Sequence, residues 1–262
     1  MEHGEVQDQE QSTTVAIIRE VPTENVWQWL SAGWQDIQKA PFPSLFYGLS
    51  LTLLSTAISA LVVLSGSYFL LPLLLAGFLL LAPLFGIGPY SISQQIEQGE
   101  TPSIKHSLLA CGRNTPSILA MGVILVLCFL AWAMVANLIF IFFHQGITPS
   151  SWQGFIAMLF GTWEGAQLLV VGTYTGALIA LAVFSISAVS VPMLLDRPVN
   201  VFQAIQTSWL TVRRNLVPML LWAAVLISII LFSFMTLYIG LIIGFPLAAH
   251  ATWHAYRDLV EH

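Results

Sequence analysis

The feature that most constrains this chain is an uncharged apolar stretch from Leu216 to Ala249, which contains no Asp, Glu, Lys or Arg. A membrane-spanning helix needs only about 20 apolar residues, so this stretch is too long for one crossing and suits two. Arg213 and Arg214 lie just before it, and Arg257 lies just after it. If basic residues stay on the cytoplasmic side, the chain crosses an even number of times between them. The sequence therefore predicts a terminal hairpin of two membrane helices.

Composition places the whole chain in the same class. Hydrophobic residues make up 57% of its 262 residues and charged residues only 8%, whereas about a quarter of the residues in soluble proteins are charged. Spanning segments use most of the length and leave no room for a soluble catalytic domain of ordinary size. No run of basic residues exists, so nucleic acid is not an expected partner. The expected partners are the lipid bilayer and other membrane proteins.

Four further apolar segments precede the terminal hairpin and predict six spans in all. Every Lys and Arg falls on one side of this scheme, which places both termini and the loops 91–115 and 196–215 in the cytoplasm. We expect a multi-pass protein of the plasma membrane. Residues 1–22 read as a disordered acidic tail and residues 23–259 as one membrane domain. The four segments are roughly 44–64, 68–90, 116–143 and 166–195.

Short amphipathic segments precede each predicted hairpin. In the first, an apolar stripe occupies one helical face while Asp36 lies on another, which is typical of a helix in the membrane interface. All three segments share an apolar spacing of +4 and +3, then a base, then a proline, and each hairpin's return helix contains a proline (Pro83, Pro192, Pro246). The stripe of the first segment comprises Trp27, Leu30, Trp34 and Ile37. The shared landmarks are Leu30, Trp34, Ile37, Lys39 and Pro43; Ile104, Leu108, Cys111, Arg113 and Pro116; and Ile205, Trp209, Val212, Arg214 and Pro218.

The predicted fold is therefore an all-α membrane bundle of six transmembrane helices arranged as three hairpins, each preceded by a cytoplasmic interfacial amphipathic helix. The shared landmarks favour three internal repeats, at 23–90, 101–195 and 200–259. The alternative is that any interfacial helix leading into a span shows an apolar stripe, a basic last turn and a helix-starting proline.

No enzyme signature is present in the sequence. The predicted spans lack the buried charges typical of pumps and coupled transporters. We find no paired carboxylates at span depth, no glycine-rich phosphate loop and no nucleophile elbow. The sequence therefore predicts a protein that is not an enzyme and has no cofactor.

Histidines near the C-terminus provide one candidate site. His250 and His254 lie one helical turn apart on a shared face, and this spacing lets two imidazoles bind one metal ion. Two ligands do not complete a zinc site, which leaves His106 as the candidate third ligand. The favoured alternative is that the last helix ends in interfacial side chains, with Trp253 and Tyr256 at the level of the lipid headgroups.

Three segments carry a resemblance to a known family: Gly244–Leu259 (GFPLAAHATWHAYRDL), Pro192–Arg197 and Trp27–Pro43. Through them the chain resembles, over roughly 19–259, a family of bacterial integral membrane proteins of unknown function. Some members are labelled as a cytochrome c oxidase subunit, which implies a respiratory association.

This chain lacks the dispersed helix-interior histidines that a haem-copper catalytic subunit needs. The resemblance therefore implies an accessory or assembly role in a membrane complex, and the label of some members implies that this complex is a respiratory oxidase. The alternative function is a transporter or channel for a small neutral or lipid-like molecule.

Overall fold

The computed structural model describes residues 16–68, 70–144 and 151–261, and the regular secondary structure of this part is helical apart from one isolated β-bridge. The all-α class predicted from the sequence is confirmed. A 3₁₀ turn, Ala110–Arg113, follows the fifth helix. The helices are α1 (Asn25–Lys39), α2 (Pro41–Leu64), α3 (Leu70–Phe85), α4 (Ile87–Glu97), α5 (Ile104–Leu109), α6 (Thr115–His144), α7 (Trp152–Gly161), α8 (Trp163–Ser187), α9 (Ser190–Asp196), α10 (Val201–Arg214), α11 (Leu216–Met235) and α12 (Leu241–Leu259).

Within the described residues, five helical segments are long and apolar enough to cross a membrane, and they correspond to the first five predicted spans. The sixth predicted span corresponds to α12, which is not among them because its second half carries His250, His254, Arg257 and Asp258. The protein is thus an integral membrane protein with several apolar helices, and the sixth crossing stays a prediction. The five segments are Pro41–Leu64, Leu70–Glu97, Thr115–Phe143, Trp163–Asp196 and Leu216–Met235.

The return helix of the first hairpin is longer than the sequence predicted. We expected the second span to end near Tyr90, yet α3 and α4 together continue to Glu97. The polar residues 91–95, which we had assigned to a loop, are buried. Buried polar side chains need hydrogen-bond partners, and those of α4 find several on neighbouring helices.

The segment before α1 is held against the end of the chain. Ile18 forms an antiparallel bridge with Val260. Val21 donates its N–H to Asn215 Oδ1 at 2.9 Å, and the Asn215 amide donates to the Arg19 carbonyl at 3.0 Å. The predicted disordered tail, 1–22, is therefore wrong for its last residues, because their partners lie far away in sequence. The rest of that prediction, residues 1–15, lies outside the described residues.

The last helix, α12, is the centre of the packing, since it contacts α1, α2, α4, α9 and α11. Its second half is buried on most sides, and the largest side chains enclosed there are Trp253 and Tyr256. We call α1, α4, α9 and the second half of α12 the terminal layer, because both described ends of the chain meet there.

Candidate functional site

Two glycines bring other helices against α12. At Gly33 of α1, a Cβ atom would lie 2.6 Å from the backbone nitrogen of Ala251. At Gly48 of α2, a Cβ atom would overlap the carbonyl group of Ile242. Residues three or four apart share a helical face, so these contacts direct Asp36 of α1 and Ser44 of α2 towards α12.

Five side chains there form a continuous hydrogen-bonded series, which we call the polar chain: Ser44, His250, Ser93, Asp36 and His254. Ser44 Oγ lies 2.9 Å from His250 Nε2, and His250 Nδ1 lies 2.7 Å from Ser93 Oγ. Ser93 Oγ donates to Asp36 Oδ2 at 2.7 Å, and His254 Nε2 contacts the same oxygen at 2.7 Å. The polar chain joins α1, α2, α4 and α12.

The donor directions follow from the chemistry of each group. A serine hydroxyl has one proton, and that of Ser93 goes to Asp36. His250 Nδ1 must therefore carry a proton and donate to Ser93, which leaves Nε2 to accept from the Ser44 hydroxyl. His250 is neutral in this arrangement, with both ring nitrogens bonded.

Burial sets the charge state of the polar chain. Asp36 is 2% exposed and His250 is fully buried. Burial lowers the pKa of His250 to about 4, although the nearby Asp36 charge acts in the opposite direction. Burial alone would raise the pKa of Asp36, but the hydrogen bond and charge of His254, together with the Ser93 hydrogen bond, hold it below its ordinary value. Asp36 is thus an ionised carboxylate beside a neutral His250.

The predicted metal ligands are only partly brought together. His250 and His254 belong to one hydrogen-bonded series, but Ser93 and Asp36 lie between them in that series. His106 is on α5, with Nδ1 3.9 Å from a Glu100 carboxylate oxygen. In the part of the chain that the structure describes, no group of three or more His, Cys, Asp or Glu side chains could hold a metal ion. The metal site stays a prediction, and His250 offers it no free ring nitrogen.

The rest of α12 makes a second polar cluster. Arg257 Nη2 lies 2.6 Å from Glu97 Oε1, and Trp253 Nε1 donates to Glu97 Oε2 at 3.2 Å. Tyr256 donates its hydroxyl to Asp196 Oδ2 at 2.7 Å, and burial and that carboxylate raise the pKa of Tyr256. Trp253 and Tyr256 are both fully buried. Their predicted place at the lipid headgroups is therefore wrong, because they are packed inside the terminal layer.

The Ser44–His250 contact has the chemistry of a serine activated by a histidine base. Its setting argues against that use, since Ser44 and His250 are both 0% exposed and a substrate has no route to the hydroxyl. The hydrogen bonds instead join four helices. Ser44, Ser93 and the role of Asp36 were not predicted from the sequence. The one sequence feature that could have indicated a close helix contact there was Gly33, a glycine inside a helix.

An apolar cavity lies next to the terminal layer, between α3, α8, α11 and α12. Its volume is about 400 Å³. Leu80, Val183, Trp222 and Phe245 contribute to its walls, one from each of these helices.

Comparison with known proteins gives one finding. The model of a family described as predicted integral membrane protein (DUF2189) matches residues 70–196, from the start of α3 to the end of α9. No curated protein and no solved structure matches the chain. The family description carries no oxidase label, so it supports membrane integration and leaves the respiratory association as a proposal. Residues 70–196 are thus similar to the DUF2189 family of predicted integral membrane proteins of unknown function.

Proposed function

We propose that this is a non-enzymatic protein of the bacterial inner membrane that acts as an accessory or assembly partner of another membrane complex. In its most specific form, the proposal is that this complex is a respiratory oxidase. The observation that carries the proposal is the closed state of the polar chain. Each of its five side chains is bonded to another, and Ser44, Ser93, Asp36 and His250 are all buried. The Ser44–His250 pair, which has the most reactive chemistry of this site, thus holds helices together.

The outward faces of the spans support a packing role. Apolar side chains are exposed along the whole length of α6, and Leu119 and Met134 are 63% and 69% exposed. Inside a bilayer such faces contact lipid or another membrane protein, and helix association there depends on close packing. A partner of this protein would therefore be another set of membrane helices.

Six crossings with both termini cytoplasmic form part of the proposal. The Ile18–Val260 bridge joins the two described ends of the chain, and ends that touch lie on one side of a membrane. An even number of crossings is then required, and the apolar first half of α12 supplies the sixth.

A threefold repeat is also proposed, and the residues that end the three amphipathic segments support it. Ala40, Asn114 and Asn215 have similar backbone angles, with φ/ψ of −132/59°, −142/48° and −115/42°. The Asn114 amide donates to the Leu194 carbonyl of α9 and to the carbonyls of Arg197 and Val199, just before α10. Asn215 does the same just before α1, at Arg19. Each asparagine thus holds the segment that leads into another unit.

Affinity purification in mild detergent, followed by mass spectrometry, tests the assembly role. We expect a reproducible, stoichiometric membrane partner that is missing when an unrelated multi-pass protein with the same tag is purified. Recovery of the tagged protein alone, in a single oligomeric state, would refute the assembly role.

The cavity favours a second candidate function, the binding or transfer of a lipid-like molecule. Its walls are formed mainly by apolar side chains of helices that we place in the membrane. A neutral amphiphile retained through purification, without a protein partner, would favour this second function.

A further inference from the structure

We propose that the cavity between α3, α8, α11 and α12 binds a neutral amphiphile, an apolar chain that carries a single hydroxyl or carbonyl oxygen, taken up from the bilayer. This proposal gives the second candidate function its ligand class. It does not depend on the assembly role.

Size and lining both suit such a ligand. A volume of about 400 Å³ falls within the range of small-molecule sites, about 300–1,000 Å³. The residues that line the cavity include no Asp, Glu, Lys, Arg or His. A charged headgroup would find no counterion there, and burying an unpaired charge is strongly unfavourable. The ligand is therefore neutral.

The cavity opens towards the surrounding membrane. Leu181 of α8 and Ile227 of α11 line it and remain 38% and 40% exposed. Both belong to segments that are long and apolar enough to span a bilayer. An occupant would therefore enter between α8 and α11 from the lipid phase.

The Tyr90 hydroxyl is a hydrogen-bond donor on the wall of this apolar space. Tyr90 lines the cavity and is 3% exposed, and its hydroxyl has no hydrogen-bond partner within the described ranges. The end of its ring lies over Gly86, where a Cβ atom would be 2.6 Å from the hydroxyl oxygen. Two other hydroxyls on the wall are already used, since Ser187 and Thr252 donate to carbonyls of their own helices.

An acceptor lies on the same face of the return helix. Proline has no N–H, so Pro83 cannot donate to the Leu79 carbonyl as a helical residue normally would. Leu79 and Pro83 both line the cavity. Leu79, Pro83, Gly86 and Tyr90 follow the spacing +4, +3, +4, which keeps them on one helical face. On this face, Tyr90 supplies a donor and Leu79 an acceptor for the oxygen of a ligand.

Photolabelling in phosphatidylcholine vesicles tests the site. The probes are a hexadecanol with a diazirine in its chain and the matching diazirine hexadecane, and labelled peptides are identified by mass spectrometry. We expect the alcohol to label peptides of α8 and α11 that face the cavity. Ala223→Phe, which fills the cavity, should reduce this labelling at least tenfold. Leu127→Phe, on the outward face of α6, is the matched control and should leave it unchanged.

Tyr90→Phe separates the hydroxyl contact from simple filling of space. Loss of one hydrogen bond should reduce labelling by the alcohol about fivefold and leave labelling by the alkane unchanged. Equal labelling of wild type and Ala223→Phe would overturn the site, and an unchanged alcohol-to-alkane ratio in Tyr90→Phe would overturn the ligand class. If Ala223→Phe does not fold, Leu181→Trp takes its place. Protein partners are measured separately, so either proposal can fail alone.

Discussion

The terminal layer and the outward face of α6 differ in which side chains are buried and which are exposed. In the terminal layer, Asp36 and His250 are buried and hydrogen-bonded, and glycines bring backbones into contact. Along α6, large apolar side chains such as Met134 point outwards. Because lipid is as apolar as those side chains, moving the face of α6 from lipid to a protein contact adds little hydrophobic free energy. The arrangement of the helices is therefore specified mainly in the terminal layer.

Gly48→Ala, at the contact of α2 with the first half of α12 next to the terminal layer, should have the largest effect. The new methyl group would overlap the backbone carbonyl of Ile242, and a backbone cannot rotate away as a side chain can. We expect a loss of about 3 kcal/mol or a failure to accumulate folded protein. Thermal unfolding in detergent measures this, with Gly172→Ala as the control because nothing lies within 4 Å of a Cβ atom there. Equal unfolding temperatures for the two variants would contradict the proposed close contact of α2 and α12.

Acid should weaken the terminal layer through His250. Its folded-state pKa of about 4 lies below the ordinary value of 6.5, so the unfolded chain takes up the proton first. The contribution of neutral His250 to the free energy of unfolding is fully present above pH 6.5. It is lost as pH falls towards 4, and the total loss is up to about 3 kcal/mol. The groups facing His250 are Ser44 from α2, Ser93 from α4, and Asp36 from α1 through Ser93.

Unfolding temperature measured between pH 8 and pH 4 tests this dependence. We expect His250→Gln to have a lower stability at neutral pH and a flatter decline in acid. His106 is a half-exposed residue of α5, and His106→Gln should retain the wild-type dependence of unfolding temperature on pH. A wild-type slope in His250→Gln would assign the acid sensitivity to other groups.

Asp36→Asn should have the next largest effect. The change removes the negative charge shared by Ser93 and His254 within a layer where Asp36 is 2% exposed. Because a buried acceptor and its partners would be left poorly matched, we expect a loss of about 2 kcal/mol. The measurement is the unfolding temperature at pH 7.5. An unchanged value would mean that the polar chain does not specify the packing of α1.

The spans could be predicted from the sequence because each is a long uncharged run, and lipid imposes that pattern locally. The faces of α1 could not. Trp27 and Trp34 follow the predicted apolar stripe and are 59% and 44% exposed, whereas the neighbouring face with Gly33 and Asp36 is buried. The prediction that the apolar stripe is the packed face and that Asp36 lies on another face assumed a single packed face. Its partners lie on α4 and α12, and no local pattern indicates them.

Contacts between the two chain ends were hidden for the same reason. The bridge of Ile18 to Val260 joins residues at opposite ends of the sequence. The polar composition before α1 is typical of disorder, but composition does not include a distant partner such as Asn215. What the sequence did indicate was the terminal hairpin, because the uncharged stretch from Leu216 to Ala249 is flanked by basic residues on both sides.

Glu97→Gln should have the smallest effect, although Glu97 belongs to the same layer as Asp36. Its side chain is 41% exposed, and its partner Arg257 also contacts Asp196. A glutamine can still accept from Trp253, and exposed ion pairs contribute only about 0.5 kcal/mol. We therefore expect a change of about that size at low salt, which becomes smaller in 0.5 M NaCl because salt screens exposed charges. Asp36→Asn, measured in parallel, should be nearly insensitive to salt. If Glu97→Gln destabilised the protein as much as Asp36→Asn, depth of burial would not be what distinguishes the two carboxylates, and the Glu97–Arg257 pair would have to be counted as part of the packing that fixes α12.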